Sequence, residues 1–260
     1  MSRTSTILGL CVALTSCSNI LGIGDLSGPV APIDSSRVDG AIDVIVADQI
    51  KITGTATTND VGLPPASQLS VQFVRLPDRA GLASGMTDAG GKYTLSVPTS
   101  GAPLDGYVVL SASAMGNLPE SAHYPPAPFT SDQPFDLFEL SNPNLDSFAQ
   151  QVGEPRQPNT AFVMVLVLGL DGKPRANTQV STSPPIDSQS RVFYADVNLQ
   201  PVLGLTATTP AGIAYIFNAP ISQLQVLLTV NGVQSSTSRF ADITIPRTAH
   251  YLAVQAASGP

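Results

Sequence analysis

The sequence predicts an all-β protein: two small Greek-key β-sandwich domains joined by a proline-rich connector with one short helix. Three observations predict it. Apolar residues recur at period 2 and are largely β-branched, which is the signature of half-buried strands. Turn formers are abundant, with 21 Gly and 23 Pro in 260 residues. Charged residues make up only 12%, including three Lys and three Glu. That leaves little material for the Glu–Lys pairs that support exposed helices. An apolar content of 43% excludes a disordered chain. The net charge of −7 argues against a nucleic-acid partner, whose binding is dominated by phosphate neutralisation.

The first 16 residues read as an address and not as folded structure. Arg3 is the only charge in Met1–Thr6, and Ile7–Leu14 is a short apolar stretch. This is the layout of a secretory signal and is too short to span a bilayer. It ends in Leu14-Thr15-Ser16-Cys17, a run that resembles the lipobox of bacterial lipoproteins. The resemblance implies cleavage before Cys17, a diacylglycerol (with palmitate-type acyl chains) on its thiol, and a membrane partner held through the N-terminal lipid. Two or more acyl chains give stable anchoring where one does not. Cys11 follows Leu10, a poor residue at the cleavage position. Ser18 stands where Asp would favour retention in the inner membrane, so the implied location is the outer membrane, with either face open. Cys11 and Cys17 are the only cysteines, so a mature chain would have no intramolecular disulfide.

Residues 17–41 are rich in Gly, Ser, Pro and Asp and read as a flexible tether. Residues 42–114 form the first strand-rich block. Ile42, Val44, Val46, Ile50 and Ile52 open it. Leu69, Val71 and Phe73 follow, then Tyr93, Leu95 and Val97, then Tyr107–Leu110. Turn signals at Asn59-Asp60, Pro64-Pro65, Ala89-Gly90-Gly91 and Ser100-Gly101-Ala102-Pro103 separate them. Residues 115–160 are proline-rich and hold all three glutamates, Glu120, Glu139 and Glu154. They read as a polar connector without a core of its own. A short helix is expected at Asn144–Val152, capped by Asn142 or Asn144, with Phe148 and Val152 on one face.

Residues 161–257 form the second block. Its first strand is the apolar run Phe162–Leu168, followed by the turn Asp171-Gly172-Lys173-Pro174. Strands are then expected around Val180, Val192–Tyr194, Ile213–Phe217, Val226–Val230, Ala241–Ile245 and Tyr251–Val254. The two blocks repeat a motif. Thr87-Asp88-Ala89-Gly90-Gly91 leads into Lys92–Pro98, and Thr208-Thr209-Pro210-Ala211-Gly212 leads into Ile213–Pro220. The motif is expected to be a hairpin in which Gly91 and Gly212 take positive φ at little cost.

These motifs resemble the carboxypeptidase regulatory-like domains, small transthyretin-like β-sandwiches. The second block carries the Asp-Gly-x-Pro turn at Asp171–Pro174, and the first carries the Thr-Asp-x-x-Gly-x-Tyr-x-Leu run at Thr87–Leu95. The first block has Val61-Gly62-Leu63-Pro64-Pro65 at its early turn, and Ala214 stands where Tyr is common in the second. The resemblance implies a sandwich fold and says nearly nothing about activity.

Catalytic constellations are not evident. His123 and His250 are 127 positions apart and fall in no zinc-peptidase spacing. Two closely spaced His beside two Tyr, as in the iron-dependent intradiol dioxygenases, are missing, as is the Tyr-Arg-Gly-Ser ending of hydroxyisourate hydrolases. Gly81-Leu82-Ala83-Ser84-Gly85 does not have the nucleophile-elbow spacing. Lys51 is the only plausible donor for an isopeptide crosslink. Asp34, Asp39, Asp43 and Asp48 read as a solvated acidic series. Tyr124 and Tyr194 are the first candidates for stacking on a sugar, with core packing the simpler reading for both. The expectation is therefore lipidation at Cys17, with no catalytic, cofactor or metal residues. Ligand-binding residues stay undefined, and an envelope protein or a glycan is a possible partner. The sequence reads as a non-enzymatic, lipid-anchored display protein. The alternative is an accessory or catalytic component of extracellular polysaccharide or peptide processing.

Overall fold

Ile50 and Ile52 alternate with Gln49 and Lys51, so the first strand turns one face inward and the other to solvent. The same alternation shapes most of the computed structural model, which describes residues 46–60, 64–186, 190–243 and 249–256. Cys11, Cys17, the tether, Ile42, Val44, Asp34, Asp39 and Asp43 lie outside the described residues.

The chain runs β1 (Gln49–Thr58), β2 (Ser70–Arg75), β3 (Gly81–Met86), β4 (Lys92–Pro98), β5 (Gly106–Leu110), β6 (Ser121–Tyr124), β7 (Gln133–Pro134) and β8 (Leu137–Glu139). Helix α1 (Asn142–Val152) follows. Then come β9 (Thr160–Leu168), β10 (Thr178–Ser183), β11 (Arg191–Ala195), β12 (Pro201–Val202), β13 (Ile213–Pro220), β14 (Gln223–Val230), β15 (Val233–Asp242) and β16 (Ala249–Gln255). Among the described residues the architecture is all-β with one short helix, as the composition predicts.

The strands form three sheets. A nine-stranded sheet has the order β12-β11-β13-β9-β16-β6-β5-β2-β3. A second sheet joins β4, β1, β7 and β8, and a third joins β10, β14 and β15. The nine-stranded sheet passes through both blocks, because β16 pairs in parallel with β6 on one side and with β9 on the other. Its two faces are covered at different places. Over the first block, Val71, Phe73, Val108 and Leu110 meet Ile50, Ile52, Leu95 and Val97 of the β4–β1 sheet. Over the second block the opposite face is covered, where Val163, Val165 and Ala214 meet Val180, Leu224, Val226 and Leu228.

Residues 115–160 are structured throughout the join. β6 pairs β5 and β16, while β7 and β8 both run parallel to β1. The reading of this segment as polar and coreless is corrected. Phe138, Leu140, Leu145, Phe148, Ala149 and Val152 pack on Phe162, Met164 and Tyr215 to make a third apolar cluster. Composition hid it because few of these residues come from strands with a visible period. Strand β9 is consequently buried on both faces, which explains its unbroken apolar run.

Helix α1 starts two residues earlier than expected. Ser141 is the N-cap, with φ −65° and ψ 153°, so neither Asn142 nor Asn144 caps it. Pro143 sits in the first turn, where its missing N–H has no intrahelical role. Gly153 ends the helix at φ 73°.

The repeated motif is real at the level of single hydrogen bonds, but it is not a hairpin. In neither block are the strands flanking the turn partners: β3 pairs β2 and β4 pairs β1, while β12 and β13 both pair β11. The turn instead locks onto the first strand of its own block. Ala56 N–H donates to Gly91 O (2.8 Å), and Val167 N–H to Gly212 O (2.7 Å). Ala66 N–H donates to Ala56 O as Arg175 N–H does to Val167 O, both at 2.9 Å. The leading threonine closes each lattice: Leu69 N–H donates to Thr87 Oγ1 (2.9 Å) and Thr178 N–H to Thr208 Oγ1 (3.0 Å). Register matches too, with Gly54 opposite Tyr93 and Val165 opposite Ala214. The two blocks are therefore one structural unit used twice.

Gly91 and Gly212 adopt φ 75° and 70°. A Cβ on Gly212 would lie 2.8 Å from Val167 O and 2.9 Å from Pro174 Cβ, so positive φ and close approach both demand glycine. Gly212→Ala should lower the unfolding free energy by roughly 3 kcal/mol, above the ~1–2 kcal/mol of a left-handed alanine alone. Gly101→Ala shares the positive φ but meets nothing within 4 Å, and serves as the strain-only control in urea titrations.

Candidate functional site: the buried polar seam

Where β16 meets β6, the two blocks join and both histidines are buried. The parallel register sets Tyr251 beside His123 and His250 beside Ala122. Successive side chains alternate across a sheet. His123 and Tyr251 therefore lie on the face that carries β8 and α1, and His250 and Tyr124 on the face covered by β14 and β15.

On the first face, His123, Ser121 and Glu139 close a triangle. Ser121 Oγ donates to Glu139 Oε1 at 2.6 Å, and His123 Nε2 lies 2.6 Å from the same oxygen. Ser121 Oγ and His123 Nε2 are 3.1 Å apart. Glu139 arrives from β8, which is held parallel to β1, so the triangle ties the second sheet to the nine-stranded one. Tyr251 stacks on the His123 ring at 4.6 Å, and its hydroxyl accepts the Leu140 amide at 2.8 Å. Burial, and then the nearby Glu139 charge, holds the Tyr251 hydroxyl well above its ordinary range.

The residue types are those of a Ser–His–acid triad, but the geometry is not. A triad uses two different imidazole nitrogens, one for the serine and one for the acid. Here both partners converge on Nε2. Ser121 and Glu139 are fully buried, at 0% exposure, so no substrate reaches them. The arrangement can hold a proton and fix strand positions, but it cannot pass a proton to a bound ligand. Glu139 Oε2 has no hydrogen-bond partner among the described residues.

On the opposite face, the Tyr124 hydroxyl accepts the Asp242 amide at 3.0 Å. Its own proton is within reach of Asp242 O (3.3 Å) and His250 Nδ1 (3.4 Å). Tyr107 stacks on Tyr124 at 4.8 Å. Arg79, from the β2–β3 turn of the first block, grips the Asp242 carboxylate of the second. Nε lies 2.6 Å from Oδ2, and Nη2 lies 3.0 Å from Oδ1. Asp242 is buried and Arg79 half-exposed, so the turn caps the seam from outside.

The structure thus places His123 and His250 on adjacent strands but on opposite faces, each beside a tyrosine. They do not converge on one point. Among the described residues no group of three or more His, Cys, Asp or Glu is placed to hold a metal ion. Tyr124 and Tyr194 are core residues: Tyr194 accepts the Val180 amide at 3.0 Å and presents no free ring face. Lys51 points to solvent, and its backbone amide donates to the Asp132 carboxylate at 2.7 Å. Ser84 lies on the edge strand β3, away from any elbow. The Asp48 carbonyl accepts the Thr99 amide. The sequence reading missed the part played by Glu139. Its signal was a lone acid inside Leu137-Phe138-Glu139-Leu140.

No protein-family model and no curated protein matches the chain. Among solved structures it is similar to the Bacillus anthracis TIE protein at 10% identity and a TM-score of 0.28. That match covers 81% of this chain and 34% of the other, so the chain spans about a third of that protein's length. It is also similar to the shaft pilin SpaA of Lactobacillus rhamnosus GG (10% identity, TM-score 0.27, 82% of this chain and 99% of that one). A minor pilin of Streptococcus agalactiae matches at 14% identity and a TM-score of 0.23, over 81% and 98% of the two chains. TM-scores this low carry no argument about function.

Burial pushes the His250 imidazole down to about 3, with the charge of His123 adding to it. Unfolded, it titrates near 6.5. Below that pH the unfolded chain binds a proton that the folded one refuses. The stability it contributes is complete above pH 6.5 and is lost as the pH falls towards 3, by up to about 1.4 kcal/mol per pH unit. Urea unfolding between pH 7 and 5 should show this slope in the parent and a weaker one in His250→Asn. Equal slopes would contradict the assignment. At constant pH 7, Glu139→Ala should cost about 3 kcal/mol or more, since it leaves His123 and Ser121 buried without their shared acceptor.

Proposed function

We propose that this chain is a non-enzymatic, lipid-anchored lipoprotein of the bacterial cell envelope, displaying two β-sandwich units for binding or structural roles. The observation that carries the non-enzymatic reading is the seam. The one grouping of serine, histidine and carboxylate found among the described residues is sealed from solvent and bonded in a pattern that cannot relay a proton. The anchoring reading rests on Leu14-Thr15-Ser16-Cys17 and on the scarcity of cysteine elsewhere. The outer membrane is the destination that Ser18 favours. In this reading the lipid holds the protein at the membrane, residues 17–41 set its reach, and the sandwich body carries the surface offered to a partner.

The test is substitution of the lipid-bearing residue. The parent protein is expected in the membrane fraction and to incorporate labelled palmitate. Cys17→Ser should abolish the label and leave the protein unprocessed or released. Unchanged fractionation and labelling in Cys17→Ser would overturn the anchoring claim.

A further inference from the structure

The segment around Gly116 and Leu118, the start of α1 and the strands β9 and β13 enclose a cleft of about 500 Å³, open to solvent and within the range of small-ligand sites. Arg156 and Asp146 stand on its wall. Arg156 Nη1 bonds both Asn142 Oδ1 and Asp146 Oδ1, each at 3.1 Å. Its Nε and Nη2, and Asp146 Oδ2, are not hydrogen-bonded to any described residue. The guanidinium is held, not waving. Strands β9 and β13 shift register between Ile216 and Ala219, and Asn218 in that bulge takes φ 56°. Bulges of this kind re-aim side chains and are common beside binding sites. Asn218 Oδ1 accepts the Gln157 amide at 2.9 Å, and its Nδ2 donates to Pro155 O at 3.2 Å. The buried asparagine therefore clamps the backbone on both sides of Arg156 and fixes where its free N–H groups point.

The chemistry of this wall selects a ligand class. The charges of Arg156 and Asp146 cancel, so the cleft favours neither an anion nor a cation. What remains is a pair of fixed donors beside a carboxylate acceptor, with apolar surface from Ala112 and Leu118 in the same lining. A vicinal diol accepts at one hydroxyl and donates from its neighbour, and the C–H face of a sugar ring presents apolar surface beside that pair. We propose that this cleft binds a neutral saccharide, with one hydroxyl oxygen accepting from Arg156 and the adjacent hydroxyl donating to Asp146. This deepens the binding role proposed above and rests on it, but it does not depend on the lipid anchor.

The test uses the full ¹⁵N-labelled chain in a sugar-free zwitterionic detergent, titrated separately with maltotetraose, cellotetraose and chitotetraose. At least one should produce saturable amide shifts centred on residues 112–119, 142–157 and 217–218. Arg156→Ala should weaken that binding roughly tenfold or more, as expected for loss of a charged hydrogen bond. Asp146→Asn, which keeps the side-chain shape, should weaken it as well. Both variants should retain the parent spectrum away from the cleft. Absence of saturable shifts with all three sugars would overturn the proposal, as would shifts elsewhere on the molecule or undiminished binding by Arg156→Ala. Tighter binding of a polyuronate than of any neutral sugar would overturn the neutral class. Membrane fractionation of Arg156→Ala should match the parent, so failure here is distinguishable from failure of the anchoring claim.

Discussion

The structure depends on one strand being shared. Strand β16 lies between β9 and β6 and hydrogen-bonds to both in parallel, so the sheets of the two repeats become one nine-stranded sheet. Everything polar at the centre follows from that. A strand with neighbours on both edges and cover on both faces has no water to satisfy its side chains, so buried polar groups must find partners in the protein. His123 finds Ser121 and Glu139, and His250 finds Tyr124. The acid that completes the first group is delivered by β8 from the second sheet, and the Arg79–Asp242 pair spans the two blocks from outside. The join is therefore polar and directional where the two sandwich cores on either side are apolar. Apolar contact alone tolerates sliding, whereas these bonds fix one register.

The staggered covering of the large sheet explains the burial pattern along the chain. The first repeat uses one face and leaves the other to the solvent and the seam. The second uses the opposite face and receives α1 on its outer side. Strands β9 and β13 are accordingly apolar on both sides, and β1, β4 and β14 on one.

Much of this was legible in the sequence. The strands with strong alternation, β1, β2, β4 and β14, announce themselves because one-sided burial imposes period 2, and β5 and β9 do so as short apolar runs buried on both faces. The repeated Thr-to-Gly turn was visible as well, and its glycines do take positive φ. Its partner was not visible. A turn followed by a strand looks alike whether the chain doubles back on itself or crosses to another sheet, and here the hydrogen bonds go to a strand more than 30 residues earlier. The strands that escaped notice lack the periodic signal for identifiable reasons. Gly81–Met86 is an edge strand of small residues. Val233–Ser238 begins a polar hairpin arm whose register is set by the turn at Asn231-Gly232. Ser121–Tyr124 is buried yet polar, because its neighbours supply the partners. That last case also hid the seam, since burial of a histidine and a glutamate together is a fact about two distant segments that no local pattern encodes. The run Leu14-Thr15-Ser16-Cys17 is a different kind of signal, a short linear motif that stands apart from the fold.

The position of β16 has a temporal side. It is the fifth of nine strands in its sheet and, in chain order, the last of the described strands. A chain made from its N-terminus has the other strands of both repeats before their central strand arrives. Until Ala249–Gln255 emerges, β6 and β9 each present an open hydrogen-bonding edge, and the two histidines have no common sheet to share. Completion of the body thus waits on Ala249–Gln255, and a chain truncated just before them would lose the middle of its nine-stranded sheet while keeping fifteen of its sixteen described strands.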